Sequence, residues 1–347
     1  MKERLNIVHA PLEIAGQVGL ICDFLRRFGV RAVGYNYYPT YLNYQKVINT
    51  DSYELAKMVQ FAIEHYDLFH FHNGYTFLDG FLDIEMIRER GKQIIMHHRG
   101  NDVRSRQRAR KWHGYENPYV NADSSVPDEE IDRNLRYFAK NVSAAIVQDY
   151  ELMPYVEDYY AEQGKKVYVL PRLINLQQFP PAPKQPSKKA NEIIIVHAPT
   201  QRDFKGTELI NQTIENLQQE LPIQYRLVEG LSHEEALALY RQADIIIDQI
   251  LCGAYGNLSV EGMALGKPVV CYIRPDLVNK YPAGLPIRSA NPDNLQDVLR
   301  ELVSDHELRL ELGRQGREYV SQNHSADSVI KQLLNIYREV MGEGYGL

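Results

Sequence analysis

Cysteine is scarce. Cys22, Cys252 and Cys271 are the only three in 347 residues, and no CxxC or Cys/His ligand spacing links them. Three thiols cannot all pair, so neither a disulfide framework nor a structural zinc site is expected, and a reducing, cytoplasmic setting fits. Long apolar runs are lacking too. No stretch approaches the roughly 18 uncharged apolar residues of a membrane-spanning helix, and Met1-Lys2-Glu3-Arg4-Leu5 leads into strand-like Asn6-Ile7-Val8 with no apolar signal region. Neither secretion nor a membrane span is expected, and nothing indicates peripheral membrane contact. An excess of positive charge is also absent. With 45 acidic against 39 basic residues, general nucleic-acid binding through phosphate neutralisation is excluded, so any anionic partner must be met by a local patch.

What is present is a repeating pattern. Short apolar runs ending in polar or glycine positions alternate with amphipathic stretches, as buried parallel strands and their covering helices do. In the first half, strands are predicted at Asn6–His9, Arg31–Val33, Leu68–His72, Gln93–His97, Ala144–Val147 and Val167–Leu170, with helices at Gly19–Phe28, Tyr53–His65 and Asp128–Lys140. The economical topology is a right-handed βαβ succession. The stretch 180–191 is proline-rich and cannot sustain a helix or a central strand, because proline fixes φ and lacks an amide donor. It reads as a linker. A second βα series follows, with strands at Ile193–His197, Tyr225–Glu229, Ile245–Asp248 and Pro268–Tyr272, and helices at Glu208–Glu220, Glu234–Gln242, Leu258–Leu265 and Leu295–Ser304. Helices are also predicted at Glu307–Gln322 and Ser325–Met341. The expected fold class is α/β, with an N-terminal Rossmann-like domain over 1–179 and a second over 192–324. A last helix over 325–347 carries Val329, Leu333, Ile336 and Val340 on one face and can pack on either domain, including a return to the first.

The segment Ala243–Val270 carries the most chemistry. It reads as strand, glycine-bearing loop, helix, glycine turn, strand. Gly253 and Gly256 let backbone approach a ligand closely, and the first-turn amides of Asn257, Leu258 and Ser259 can bind phosphate oxygens with help from the helix dipole. That suits a pyrophosphate. Glu261, one turn further, can accept bonds from both hydroxyls of a ribose. Upstream, Arg202 and Lys205 follow the first strand of the second series and precede a helix, which makes a clamp for a dianionic leaving group. The bland alternatives are ordinary βαβ punctuation and a solvent-exposed cation pair.

Together these segments resemble the retaining glycosyltransferases of family 4 in the GT-B superfamily. His197-Ala-Pro-Thr with Arg202 and Lys205-Gly206-Thr207 is similar to the family's cationic donor-phosphate motif, and Glu261-Gly-Met-Ala-Leu-Gly-Lys-Pro-Val-Val270 to its E-(A/G)-M-A-x-G-x-P-V segment. Weaker echoes lie at 67–73, 98–104 and 169–179. The resemblance implies a GT-B fold, with two Rossmann-like domains facing across a cleft. It implies a nucleoside-diphosphate sugar as donor and a glycan, lipid-linked or small-molecule hydroxyl as acceptor, with no cofactor; no DxD-like pair of aspartates stands where a divalent cation would be bound, so no metal is expected. Arg202 and Lys205 would neutralise the pyrophosphate, Thr200, Gly253, Tyr255, Gly256, Asn257 and Leu258 would line the donor site, and Glu261 would hold the ribose. One departure stands out. The family usually carries a second glutamate eight positions before the first, and counting back from Glu261 lands on Gly253. Asp248, Gln249 or backbone at Cys252–Tyr255 would then contact the sugar, or donor choice differs.

In the first domain, Ala15-Gly16-Gln17 is a short turn into a helix that could close on the donor phosphate. His98 and Asp102 are candidates for positioning the acceptor, with a histidine satisfied in a strand-end network as the alternative. Arg104, Arg106, Arg108, Arg110 and Lys111 could steer a phosphorylated or uronic-acid acceptor, and otherwise form a solvated face. Tyr35, Tyr37, Tyr38, Tyr41 and Tyr44 offer stacking faces for sugars or pack under a loop. Three rivals remain. They are a noncatalytic sugar- or partner-binding protein, a nucleotide-sugar 2-epimerase with acid/base carboxylates, and a Rossmann oxidoreductase, for which the G-x-G-x-x-G turn is missing.

Overall fold

The structure, a computed structural model, describes residues 4–40, 44, 46–111, 117–121, 126–180 and 192–342. The chain divides into two compact units, one of residues 1–108, 123–173 and 326–347, the other of 109–122 and 174–325. The boundary therefore falls at Leu173 where the sequence suggested 179, and 109–122 goes with the second unit, in which the Tyr119 ring packs on Phe204 at 4.5 Å. Apart from Pro180, the linker read at 180–191 lies outside the described residues, as does Tyr41.

In the first unit the strands are β1 (Asn6–Ala10), β2 (Arg31–Asn36), β3 (Ile48–Asn49), β4 (Leu68–His72), β5 (Gln93–His98), β6 (Ala144–Val147) and β7 (Val167–Val169). They form one parallel sheet in the order β3-β2-β1-β4-β5-β6-β7. Strands β1, β4, β5 and β6 are buried almost throughout, as expected where helices cover both faces. Two-residue β3 carries no readable alternation, and the helices Leu82–Glu89 and Met153–Ala161 bury too few positions to show a clear period. Helix Ser52–His65 starts where the Asp51 carboxylate accepts the Glu54 amide at 2.8 Å, and Asp128, Glu129 and Glu130 oppose the dipole at the start of Asp128–Asn141. The last helix, Ala326–Met341, belongs to this unit. Its Val329, Ile330, Leu333 and Tyr337 are fully buried in one core with Val18, Ile21, Cys22 and Leu25 of the helix Gln17–Arg27.

The second unit holds β8 (Ile193–His197), β9 (Ile223–Leu227), β10 (Ile245–Ile247) and β11 (Val269–Val270), all parallel, in the order β11-β10-β8-β9. Its core joins Ile195, Ile245, Ile247 and Val270 of the sheet to Ile210, Ile214 and Leu217 of helix Thr207–Gln218 and Leu295, Leu299 and Leu302 of helix Leu295–Ser304. A capping box of Ser232 and Glu235 starts the helix His233–Gln242. No helix of the described residues is long and apolar enough to cross a membrane.

Candidate functional site

In the second sheet β8 lies between β9 and β10, so the connections from β8 to β9 and from β10 to β11 run in opposite directions. The carboxyl ends of such strands are where open α/β sheets take ligands. His197 closes β8 there. Fully buried, it holds the Ile247 carbonyl with Nδ1 and the Thr207 hydroxyl with Nε2, each at 2.9 Å. Burial pulls its pKa down to about 4, so the imidazole is neutral and ties the ends of β8 and β10 to the helix starting at Thr207.

Asp248 directly follows β10 and is fully buried. One oxygen pairs with the Lys205 ammonium, and the other accepts the Gly256 amide and the Ser259 hydroxyl, both at 2.7 Å. Burial raises the carboxyl pKa, but the Lys205 charge and these bonds outweigh it and hold the group below the usual carboxylate range. Burial likewise pulls Lys205 down and Asp248 more than reverses it, so the ammonium is raised above its ordinary value. One carboxylate thus joins the Lys205 turn to the start of helix Asn257–Ala264. A Cβ on Gly256 would stand 3.0 Å from the Asp248 carboxylate and 3.4 Å from the Lys205 ammonium, so glycine at 256 makes room for this hub.

Of the residues expected to line the donor site, Gly256 has its amide engaged by Asp248. Asn257, Leu258 and Ser259 supply the first-turn amides, which no intrahelical carbonyl can meet, and no side chain among the described residues caps this helix. Glu261 lies on its next turn and bonds His233 Nε2 at 2.7 Å. Burial lowers the His233 pKa, yet the Glu261 hydrogen bond and charge reverse this and leave it raised. Nothing in the sequence linked His233 to Glu261; only the packing of two helices does.

Other expected donor residues lie elsewhere. Arg202 is exposed and pairs with Glu208 at 2.6 Å and Glu229 at 2.9 Å, so it does not share the hub with Lys205. Thr200 is exposed in the loop after β8. Tyr255 turns its side chain inward, its hydroxyl 3.0 Å from His324 and its ring 4.8 Å from Tyr281, so any donor contact at this position comes from its backbone. Gly253, where a glutamate was expected, has φ of 78°, and a Cβ there would meet the Arg274 side chain at 2.8 to 3.0 Å. The position is closed to a glutamate by backbone conformation and by Arg274. Of the substitutes considered for it, Asp248 is fully engaged in the hub, which leaves Gln249 and backbone at Cys252–Tyr255.

In the first unit the expectations need more correction. Gly16, with φ of 73°, precedes the helix Gln17–Arg27, but the amides of Val18 and Gly19 go to the Glu13 carboxylate at 3.2 and 2.7 Å, and the Gln17 amide to Ile14. An internal acid thus fills the role foreseen for a phosphate. His98 bonds Asp102 at 2.7 Å through Nδ1 and Tyr160 at 2.9 Å through Nε2, and the imidazole is 1% exposed. Both nitrogens are engaged within the strand-end network. Asp102 also accepts the Arg99 and Gly100 amides at 3.1 and 2.9 Å, and Arg104 grips Glu151 at 2.6 to 3.1 Å. These acceptor candidates are internal braces. What the sequence reading missed is the opposite face of the same strands, where His9, His70, His72 and His97 gather beside Arg99. The alternation of His70 and His72 along β4, which puts both on one face, was the available signal.

Comparison with known proteins bears on both units. Residues 201–319 match the family model described as Glycosyl transferases group 1. A D-inositol 3-phosphate glycosyltransferase of Corynebacterium efficiens is 30% identical over 139 residues, 39% of this chain and 32% of that protein. An uncharacterized glycosyltransferase of Methanocaldococcus jannaschii is 27% identical over 31% of this chain and 32% of its own. The chain thus matches about a third of the length of these curated relatives. A glycosyltransferase from Rickettsia africae superposes with a TM-score of 0.67 over 98% of this chain and 99% of its own, at 15% identity. HepE from Anabaena, solved with UDP and glucose, gives 0.63 over 97% and 100%, at 13%. The fold is GT-B, built of two Rossmann-like units, and the glycosyltransferase resemblance read from the motifs is matched across 201–319 by the group 1 model.

Proposed function

We propose that the chain is a glycosyltransferase that moves a sugar from a nucleoside-diphosphate donor to an acceptor hydroxyl, with retention and without a divalent cation. The observation that carries this reading is the Lys205–Asp248 hub beside the uncapped start of helix Asn257–Ala264, inside the stretch that matches the group 1 model. As the bond between the anomeric carbon and the terminal phosphate oxygen breaks, negative charge collects on the leaving diphosphate. The Lys205 ammonium and the amides of Asn257, Leu258 and Ser259 would meet that charge where it develops. Arg202 would add a second cation by exchanging Glu208 and Glu229 for phosphate. The acceptor oxygen bonds to the anomeric carbon on the face the diphosphate leaves, and its proton passes to the departing phosphate oxygen, so no side-chain nucleophile is used. Glu261, oriented by His233, would hold the ribose.

HepE's UDP and glucose make UDP-glucose the first donor to test, and the inositol 3-phosphate relatives make a phosphorylated polyol the first acceptor. A specific donor at a hundredfold excess over its Kd stabilises the folded state by about 2.7 kcal/mol, which thermal melting against a panel of UDP-, GDP- and ADP-sugars reads directly. Transfer should persist in EDTA and fall at least a hundredfold in Lys205→Ala. Melting unchanged by every donor, or full transfer by both Lys205→Ala and Glu261→Ala, would overturn the reading.

A further inference from the structure

His9, His70, His72 and His97 lie on one face of β1, β4 and β5, fully buried or nearly so, with ring centroids 4.4 to 5.4 Å apart between neighbours. Burial lowers the pKa of each, so all four are neutral imidazoles. Their hydrogen bonds form a single chain whose direction follows from its first member. Arg99 can only donate, so its Nη2, 3.2 Å from His72 Nδ1, leaves the His72 proton on Nε2. That N–H donates to His9 Nδ1 at 3.1 Å, and His9 Nε2–H then donates to the Tyr337 hydroxyl oxygen at 3.2 Å. Tyr337 donates to His70 Nδ1 at 2.7 Å, and His70 Nε2–H to His97 Nδ1 at 3.2 Å. The surplus donor emerges at the far end as His97 Nε2–H. No other choice of tautomers removes it, because each imidazole and the phenol carry one donor and one acceptor while Arg99 brings donors alone.

The molecule shows that surplus. Among the described residues of the first unit, the buried side-chain nitrogens without a partner are His97 Nε2 and Arg99 Nε. These residues are two apart at the end of β5, on the side of the sheet that His72 shares. Arg99 is 6% exposed and forms no ion pair among the described residues. The nearby acids are committed: Glu13 to the Val18 and Gly19 amides, Asp102 to His98 and the Arg99 and Gly100 amides. A buried guanidinium with no carboxylate partner is costly until an anion meets it. His9, His70 and His72 do offer nitrogens within 4.8 Å of one another, as a metal site would. Those nitrogens already bond each other and Tyr337, however, and a dication would sit against the Arg99 charge with no carboxylate ligand.

We propose that His97 Nε2–H and Arg99 Nε–H form an oxyanion site at the carboxyl edge of the first sheet, taking a phosphate or carboxylate group, with Arg99 held in place by the histidine chain. As the role of that anion, an acceptor's charged group rests on the transferase reading; the site itself does not. Full-length protein labelled with 15N in arginine and histidine tests it, by titration with inorganic phosphate and with acetate at constant ionic strength. The Arg99 Nε–H and His97 Nε2–H resonances should move together along one saturating curve. Tighter phosphate binding identifies a phosphate site, and tighter acetate binding a carboxylate site. Arg99→Lys, which keeps the charge and loses the fork, should weaken the anion at least tenfold while UDP binding in the second unit stays unchanged. Resonances unmoved by either anion overturn the site, as does a response of the histidine nitrogens to Zn2+ alone. UDP-sugar titration of the same samples separates the two ideas. Donor binding without an anion response removes this site and leaves the transferase reading, and an anion response without donor binding does the reverse.

Discussion

At the carboxyl edge of the second sheet the partly buried cation Lys205 faces a buried carboxylate, Asp248, whereas at the carboxyl edge of the first sheet the buried cation Arg99 faces a chain of neutral imidazoles. The second unit thus neutralises its charge internally and presents amide donors beside the pair. The first leaves a donor surplus that its described residues do not absorb. The carboxyl edges of the two sheets have been equipped in two ways. A closed ion pair holds its geometry without help, and an open donor chain calls for an outside acceptor.

The sharpest way to break the comparison is Asp248→Asn. It strands the Lys205 charge in a partly buried position, where losing the carboxylate costs up to about 3 kcal/mol, the lower end for a buried pair. The pH dependence follows from the shifts. Asp248 has a lowered pKa, so its contribution is present above its unfolded value of about 3.9 and is lost as pH falls through the lower folded value. Lys205 has a raised pKa, so its contribution is complete below about 10.4 and is lost as pH rises through the higher folded value. Urea unfolding across pH should show the parent's advantage over the variant greatest between those two values and shrinking at both extremes. A variant as stable as the parent would mean that the pair is replaceable and the two edges are not so different.

Tyr337→Phe probes the other edge. Deleting the hydroxyl leaves His9 Nε2–H without an acceptor and His70 Nδ1 without a donor, each worth roughly 1 to 3 kcal/mol when buried. The loss should fall on the first unit, where the last helix is packed, and hydrogen exchange of the Ala326–Met341 amides should quicken. If instead only the second unit softens, the histidine chain is not what carries Tyr337.

The two edges also differed in how well the sequence revealed them. The second was legible because its parts are close in sequence: Gly256, Asn257 and Glu261 share one loop and helix, and Arg202 and Lys205 one turn. Most predicted strands of both sheets lie within two residues of their place, since buried parallel strands announce themselves as apolar runs. What stayed hidden is tertiary. Asp248 is 43 residues from Lys205, His233 is 28 from Glu261, and Tyr337 is 267 from His70. His98 drew attention as a polar strand end, yet alternation sent it to the face of Tyr160 and sent His97 to the face of the histidines.

The smallest expected effect concerns Glu261→Gln, and it separates a structural from a ligand-holding role. The His233–Glu261 pair is partly exposed, so its loss should cost no more than about 1 kcal/mol. Because the His233 pKa is raised, the pair's contribution is complete below the unfolded value of about 6.5 and is lost as pH rises through the folded value. In the variant the His233 titration, followed by NMR, should move down, since burial then acts without the opposing charge, and the stability difference from the parent should vanish above that range. Donor affinity should respond differently. A carboxylate holding a ribose loses an acceptor at every pH, so UDP binding should weaken about tenfold both at pH 6 and at pH 8.5, as a lost charged hydrogen bond of roughly 1.5 kcal/mol implies. If the loss of affinity instead follows the His233 titration and disappears at high pH, Glu261 acts only by fixing His233, and the second edge holds its nucleotide by amides and Lys205 alone.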